Sequence, residues 1–190
     1  MITYTQVAES AAYLRSRLPA LPEIALVLGS GLGPLAEQMQ DTVSFAYAEI
    51  PHFRVSTAPD HAGRLVVGTL AGRRIACMQG RLHGYEGYAP DEIAYPVYVL
   101  RALGVQALIL TNASGGINTG FSVGDFMLIE DHINMTSKSP LTGANDERLG
   151  TRFPDMTFAY APALREKAQA AAALCGLELR KGVYCGVNGP

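Results

Sequence analysis

Residues 25–37 read ALVLGSGLGPLAE. The run over 23–29, EIALVLG, has the continuous apolar character of a strand buried on both faces. It then breaks through Gly29, Gly31 and Gly33 into what reads as a helix. A glycine-rich turn between a strand and a helix presents backbone N–H groups to one point in space, which suits an anion. The spacing decides which anion. It is not G-x-G-x-x-G, because the third glycine arrives one residue early and Pro34 holds its place. The acidic residue that reads a ribose about twenty residues later has Glu49 as its candidate, but no second βαβ unit surrounds Glu49. No Gly-Lys-Ser/Thr follows, so this is not a Walker loop. What remains is Ser30 among free amides, a cradle for a single anion. A glycine turn shaped only by packing reads the same way.

Outward from that stretch, strands alternate with helices. A first helix is expected over 4–18, with Val7, Ala11, Leu14 and Leu18 at helical spacing. RLVVGTLAGRRIACMQG (64–80) reads as two strands joined at Ala71-Gly72. A helix follows Pro90, carries a stripe of Ile93, Val97, Leu100 and Leu103, and closes at Gly104. QALILTN (106–112) and DFMLIED (125–131) are expected as buried strands. An alanine-rich helix covers 160–175 and ends at Gly176, and GVYCGVNGP (182–190) begins as a strand. No repeat, low-complexity tract or linker interrupts the chain, so residues 1–190 are read as one domain. The pattern predicts an α/β fold with a mixed, largely parallel central sheet flanked by helices. In such sheets ligands collect at the carboxyl ends of strands, here just after Leu28, Met78 and Leu110.

Composition narrows the classes. With 190 residues, 48% hydrophobic and 17% charged, the chain is built to bury a core. The formal net charge is −2 and no basic run stands out, which argues against nucleic acid or an anionic membrane as partner. No apolar stretch approaches the ~20 residues of a membrane span, and MITYTQVAES lacks the pattern of a signal peptide. Cys77, Cys175 and Cys185 are widely spaced and form no C-x-x-C pair, which favours a cytoplasmic setting and offers no metal site.

The second strand end, QGRLHGYEGY (79–88), gathers Arg81, His83, Tyr85 and Glu86. On an extended segment Arg81, His83 and Tyr85 share one side. A guanidinium grips phosphate bidentately, and an imidazole beside a carboxylate donates to the same anion. A surface loop with incidental charge is the plainer alternative. The third, TNASGGIN (111–118), offers small residues and free amides that let a flat ligand approach, although a packing turn explains it equally well. PDHAGRL (59–65) adds His61 in a loop. His52 and His132 read as incidental, His132 as a satisfied group after a buried strand.

VLGSGLG, HAGRL, QGRLHGYEGY, TNASGGIN, GDFMLIEDHIN and NDERLGTRFPDM together resemble, in order and spacing, the trimeric purine nucleoside phosphorylases. The resemblance runs from about residue 20 to residue 190. It implies phosphorolysis of purine nucleosides of the inosine and guanosine kind to free base and ribose 1-phosphate. Orthophosphate is then the nucleophile, with no metal or other cofactor and a homotrimeric assembly. By resemblance, Ser30, Gly31, His61, Arg81, His83 and the backbone of Ala113 bind phosphate. His83 and Glu86 are the catalytic pair, Glu86 supporting the histidine, and Tyr85 lies against the ribose. Ala113, Ser114, Gly115 and Phe153 belong to the base pocket, Phe153 reaching into a neighbouring subunit. Ser114 stands where many members carry alanine, and Gly84 where a bulkier residue is common.

The resemblance also implies that the purine-reading glutamate and asparagine follow Gly189-Pro190, so the chain reads as an N-terminal portion. Little or no turnover is expected of it alone. Three other readings stay open at this point, among them a merely structural fragment. One is a methylthioadenosine-type phosphorylase, against which the serine of GSGLG, DHIN and NDERLG argue. Another is a non-catalytic phosphate- or nucleotide-binding fragment.

Overall fold

The apolar run before the glycine turn becomes β1 (Ile24–Leu28), whose last four residues are all buried. The structure, a computed structural model, describes residues 2–56 and 62–187. The chain divides into two compact units, Met1–Ala113 with Ser139–Gly150, and Ser114–Lys138 with Thr151–Pro190.

In the first unit β1 joins β2 (Gln40–Ala46), β3 (Arg64–Leu70), β4 (Arg73–Gln79) and β5 (Ala107–Leu110) in the order β2-β3-β4-β1-β5. β1 pairs in parallel with β4 and β5, while β2–β3 and β3–β4 are antiparallel, so the sheet is mixed as expected. The β3–β4 hairpin turns at Ala71-Gly72, where φ is 48° and 72°. Two adjacent positive φ values are what a tight hairpin with right-handed strand twist demands. β2 was not foreseen, because QDTVSFA is polar and largely exposed at the sheet edge.

Side chains alternate across the sheet and build two cores. Ala25, Val27, Val67, Ala76 and Met78 meet α1 (Tyr4–Arg15) and α2 (Pro90–Leu103) on one face. Leu26, Leu28, Val66, Ile75 and Cys77 meet Ala36 and Met39 on the other. α1 begins at a Thr3–Gln6 capping box and stops at Arg15 rather than residue 18. Leu18 precedes Pro19, which disfavours helical backbone there, yet it still packs against the core. α2 has the expected ends, with Pro90 in its first turn and Gly104 at φ 107°. Its inner face differs from the predicted stripe. Tyr95, Pro96, Val99, Leu100 and Leu103 are buried, whereas Val97 is 39% exposed. Ser10, fully buried, draws the helices together through the Tyr95 hydroxyl at 2.7 Å.

The second unit holds β6 (Phe126–Asn134) and β7 (Leu179–Gly186), a parallel pair, with α3 (Pro162–Leu174). Residues 106–112 and 125–131 are not buried strands. Ile109 and Leu110 are 49% and 60% exposed, because β5 is paired on one side only among the described residues. β6 pairs only with β7 among those residues and has no buried position. No helix among the described residues is long and apolar enough to cross a membrane.

Candidate active site

β4, β1 and β5 run side by side in one direction, so their carboxyl ends finish together. Leu28 is level with Gln79, and Val27 with Leu110. The three loops singled out from the sequence therefore leave one edge of the sheet at neighbouring points, where open α/β sheets bind ligands.

Thr111 ties these loops together. Its hydroxyl accepts from the Gly29 amide at 2.8 Å and donates to the Val27 carbonyl at 3.0 Å. Its own carbonyl accepts from Arg81 Nη1 at 2.9 Å. Gly29 is required for this closeness, since a Cβ there would stand 2.7 Å from the Thr111 carbonyl oxygen. The chain then turns back, Leu32 donating to the Gly29 carbonyl at 3.2 Å, with Gly31 at φ 81°. Ser30 and Gly31 are exposed, and their amides bond to no protein acceptor among the described residues. Beyond Leu32 the chain forms a six-residue 3-10 turn, Gly33–Gln38, rather than the expected α-helix. An anion at this loop would therefore meet local amides and Ser30, not a helix dipole.

Behind the loops lies a buried polar layer. Gln79 is 4% exposed and donates from Nε2 to the Gly33 carbonyl at 2.6 Å, while its Oε1 accepts from Arg64 Nε. The Tyr47 hydroxyl donates to the Gly80 carbonyl at 2.7 Å. Burial, and then the nearby Cys77, push the Tyr47 hydroxyl far above the ordinary phenol range, so it stays protonated and donating.

The expected extended segment after β4 ends at His83, and a 3-10 turn, Gly84–Glu86, folds Glu86 back. Glu86 Oε2 accepts the His83 amide at 2.8 Å and lies 3.5 Å from His83 Nδ1. Glu86 Oε1 accepts from the Ser56 hydroxyl at 2.9 Å. The Glu86 side chain is 2% exposed and that of His83 22%, so this carboxylate and imidazole meet largely out of water. Tyr85 stacks on His83 with ring centroids 4.8 Å apart and is 71% exposed. His83 and Tyr85 thus share a side, while Arg81 turns to the Thr111 loop. A Cβ at Gly84 would meet nothing within 4 Å, so the smaller residue leaves open space there.

Ala113 closes the first unit, exposed. Ser114, Gly115 and Phe153 belong to the second unit and are exposed, Phe153 at 85% with the Arg152 guanidinium 5.7 Å from its ring centre. His61 lies outside the described residues. Glu49, set aside as a ribose reader, caps the Ala46 amide at 3.2 Å. His52 pairs with Glu9 at 2.5 Å. His132 sits within β6, exposed and edge-on to Tyr160, not after a buried strand. Sequence reasoning missed Thr111, Gln79 and Ser56. The signal for the first two was a polar residue closing an aliphatic run, ALILT and IACMQ.

Residues 23–190 match a family model described as the phosphorylase superfamily. Purine nucleoside phosphorylase 1 of Geobacillus stearothermophilus is 48% identical over 98% of this chain and 68% of its own length. The purine nucleoside phosphorylase of Bos taurus is 46% identical over 99% of this chain and 67% of its own. A solved structure of isoform 2 of the Schistosoma mansoni enzyme, in complex with cytosine and ribose-1-phosphate, superposes with a TM-score of 0.93 at 40% identity, covering 99% of this chain and 68% of that one. The chain spans about two thirds of the length of these relatives. It belongs to the purine nucleoside phosphorylases, enzymes of the phosphorylase superfamily.

Proposed function

We propose that the loops after β1, β4 and β5 form the phosphate site of a purine nucleoside phosphorylase that releases free base and ribose 1-phosphate. The observation that carries the reading is Thr111, whose bonds to Gly29 and Arg81 draw the three loops to one point. Solved Schistosoma relatives in complex with ribose-1-phosphate, adenosine and hypoxanthine support the substrate class.

Ser30 and the amides of Gly31 and Ala113 donate to the phosphate oxygens, and the Arg81 guanidinium and His83 imidazole complete the cradle. His61, by the same resemblance, is assigned to the same anion. The glycosidic carbon becomes oxocarbenium-like as its bond to the purine nitrogen lengthens. A phosphate dianion held beneath it stabilises that charge and then supplies the electron pair of the new C–O bond. The electrons of the broken bond leave with the purine, which takes up a proton. Catalysis on this account is mostly positioning and electrostatics. Glu86 holds His83, Tyr85 lies along the ribose, and Ala113, Ser114, Gly115 and Phe153 contact the base.

Phosphate is a co-substrate, and the reading needs no metal or other cofactor. The working assembly on this account is a homotrimer in which Phe153 serves a neighbouring pocket; its 85% exposure supports this. Three free cysteines support a cytoplasmic setting. The test is hypoxanthine release from inosine, with and without phosphate, by this chain and by any longer product of the same gene. Phosphate-dependent release is expected of the longer product. Release that proceeds equally without phosphate would refute phosphorolysis.

A further inference from the structure

We infer that Ser56 is a positioning residue of the phosphate site, fixing the Glu86 carboxylate and through it His83; the inference rests on the phosphorolysis reading. Three consecutive residues, 54–56, are fastened to the segment 86–92 in reverse order. Arg54 Nε donates to Glu92 Oε1 at 2.9 Å, the Tyr88 hydroxyl donates to the Val55 carbonyl at 2.6 Å, and the Ser56 hydroxyl donates to Glu86 Oε1 at 2.9 Å.

The three bonds differ in burial, and that sets their roles. The Arg54 side chain is 60% exposed, and an ion pair so open to water contributes little beyond alignment. The third reaches a carboxylate whose side chain is 2% exposed. A carboxylate in that setting needs its oxygens satisfied, because an unmet hydrogen bond costs the full desolvation of the group.

The geometry of the carboxylate then gives the function. Oε1 is taken by Ser56. Oε2 faces His83 twice, at 2.8 Å from the backbone nitrogen and 3.5 Å from Nδ1. Pinning Oε1 stops the carboxylate rotating about its Cγ–Cδ bond, so Oε2 stays on the His83 amide and within 3.5 Å of Nδ1. The imidazole has the Glu86 carboxylate 3.5 Å from Nδ1 and the Tyr85 ring stacked on one face at 4.8 Å, so it is bracketed on two sides. Ser56 therefore acts on phosphate through two intervening residues and without touching it. Orientation of a ligating histidine by such outer partners is a general device.

The experiment compares wild type, Ser56→Ala and Ser56→Thr by two readouts, steady-state phosphorolysis of inosine and the backbone amide resonance of His83. Ser56→Ala is expected to raise the KM for phosphate about ten-fold, the worth of one hydrogen bond to a charged group. It should leave the KM for inosine within about two-fold and shift the His83 amide. Ser56→Thr, which keeps the hydroxyl, should restore both. A merely structural role would lower the melting temperature without separating phosphate from inosine. An unchanged phosphate KM together with an unmoved His83 amide in Ser56→Ala would overturn the inference. Turnover is read on the longer product of the same gene; should that product show none, the phosphorolysis reading fails, and the His83 amide with the affinity for inorganic phosphate still decides the role of Ser56.

Discussion

Thr111 is the residue on which the site turns, because one side chain and its carbonyl serve three loops. Thr111→Val keeps the shape and removes the hydroxyl. The Gly29 amide then loses its acceptor, and a cost of about 1–3 kcal/mol is expected, visible as a lower denaturant midpoint. Phosphate affinity should fall with it, since the first loop is no longer held against the third. A destabilisation below about 0.5 kcal/mol would mean that water replaces the bond at no cost. Cys77 tests the buried layer behind the site. Burial pushes its thiol from an ordinary 9.0 up to about 11, and it belongs to one apolar core with Ile75 and Met39. The folded protein thus keeps a proton that the unfolded chain releases from about pH 9 upward. Stability is accordingly present below pH 9 and is lost as pH rises towards 11. Tyr47, raised by the same burial, acts in the same direction. Melting temperatures between pH 8 and 11 should fall less steeply for Cys77→Ala than for wild type. In the native protein a thiol reagent should modify exposed Cys175 and spare Cys77.

At the scale of elements, α2 shows how a helix can be legible in extent and misread in phase. Pro90 and Gly104 mark its ends through local backbone chemistry that any neighbour would leave unchanged. Which side faces the sheet depends on what packs there: Leu100 and Leu103 of the expected stripe are buried, but aromatic Tyr95 and Val99 took the place that Ile93 and Val97 were expected to share. The pair Leu103→Ala and Val97→Ala tests the phase. The first removes a side chain 1% exposed and should cost about 2–5 kcal/mol. The second trims one that is 39% exposed and should change stability by about 0.5 kcal/mol or less. Equal effects would place the helix in the predicted phase. The Ala71-Gly72 hairpin was readable for the same local reason as the ends of α2. β2 was not, because an edge strand needs no apolar pattern, and its Gln40–Ala46 span is fixed by pairing with β3. The exposure of β5 and β6 was also hidden, since a strand's own sequence does not say whether a neighbour lies on its far side.

For the whole molecule, the legible part of the site was its chemistry and the hidden part its wiring. Ser30, Arg81, His83 and Glu86 stood out because charged and hydroxyl side chains crowd beside glycines at strand ends. Thr111, Gln79 and Ser56 did not, because their partners lie 82, 46 and 30 residues away in the chain. Only the strand order β4-β1-β5 brings the first two pairs together. The central claim is that loops from three parallel strands share one phosphate ion. The measurement that tests it most directly is a titration of the chain with inorganic phosphate, followed by backbone amide resonances, in wild type and Arg81→Ala. The account predicts that Ser30, Gly31, Arg81, His83 and Ala113 respond along one saturation curve with a single dissociation constant. Arg81→Ala should weaken that constant about ten-fold or more at all of them together. Amides that respond with unrelated constants, or a constant unmoved by Arg81→Ala, would contradict it.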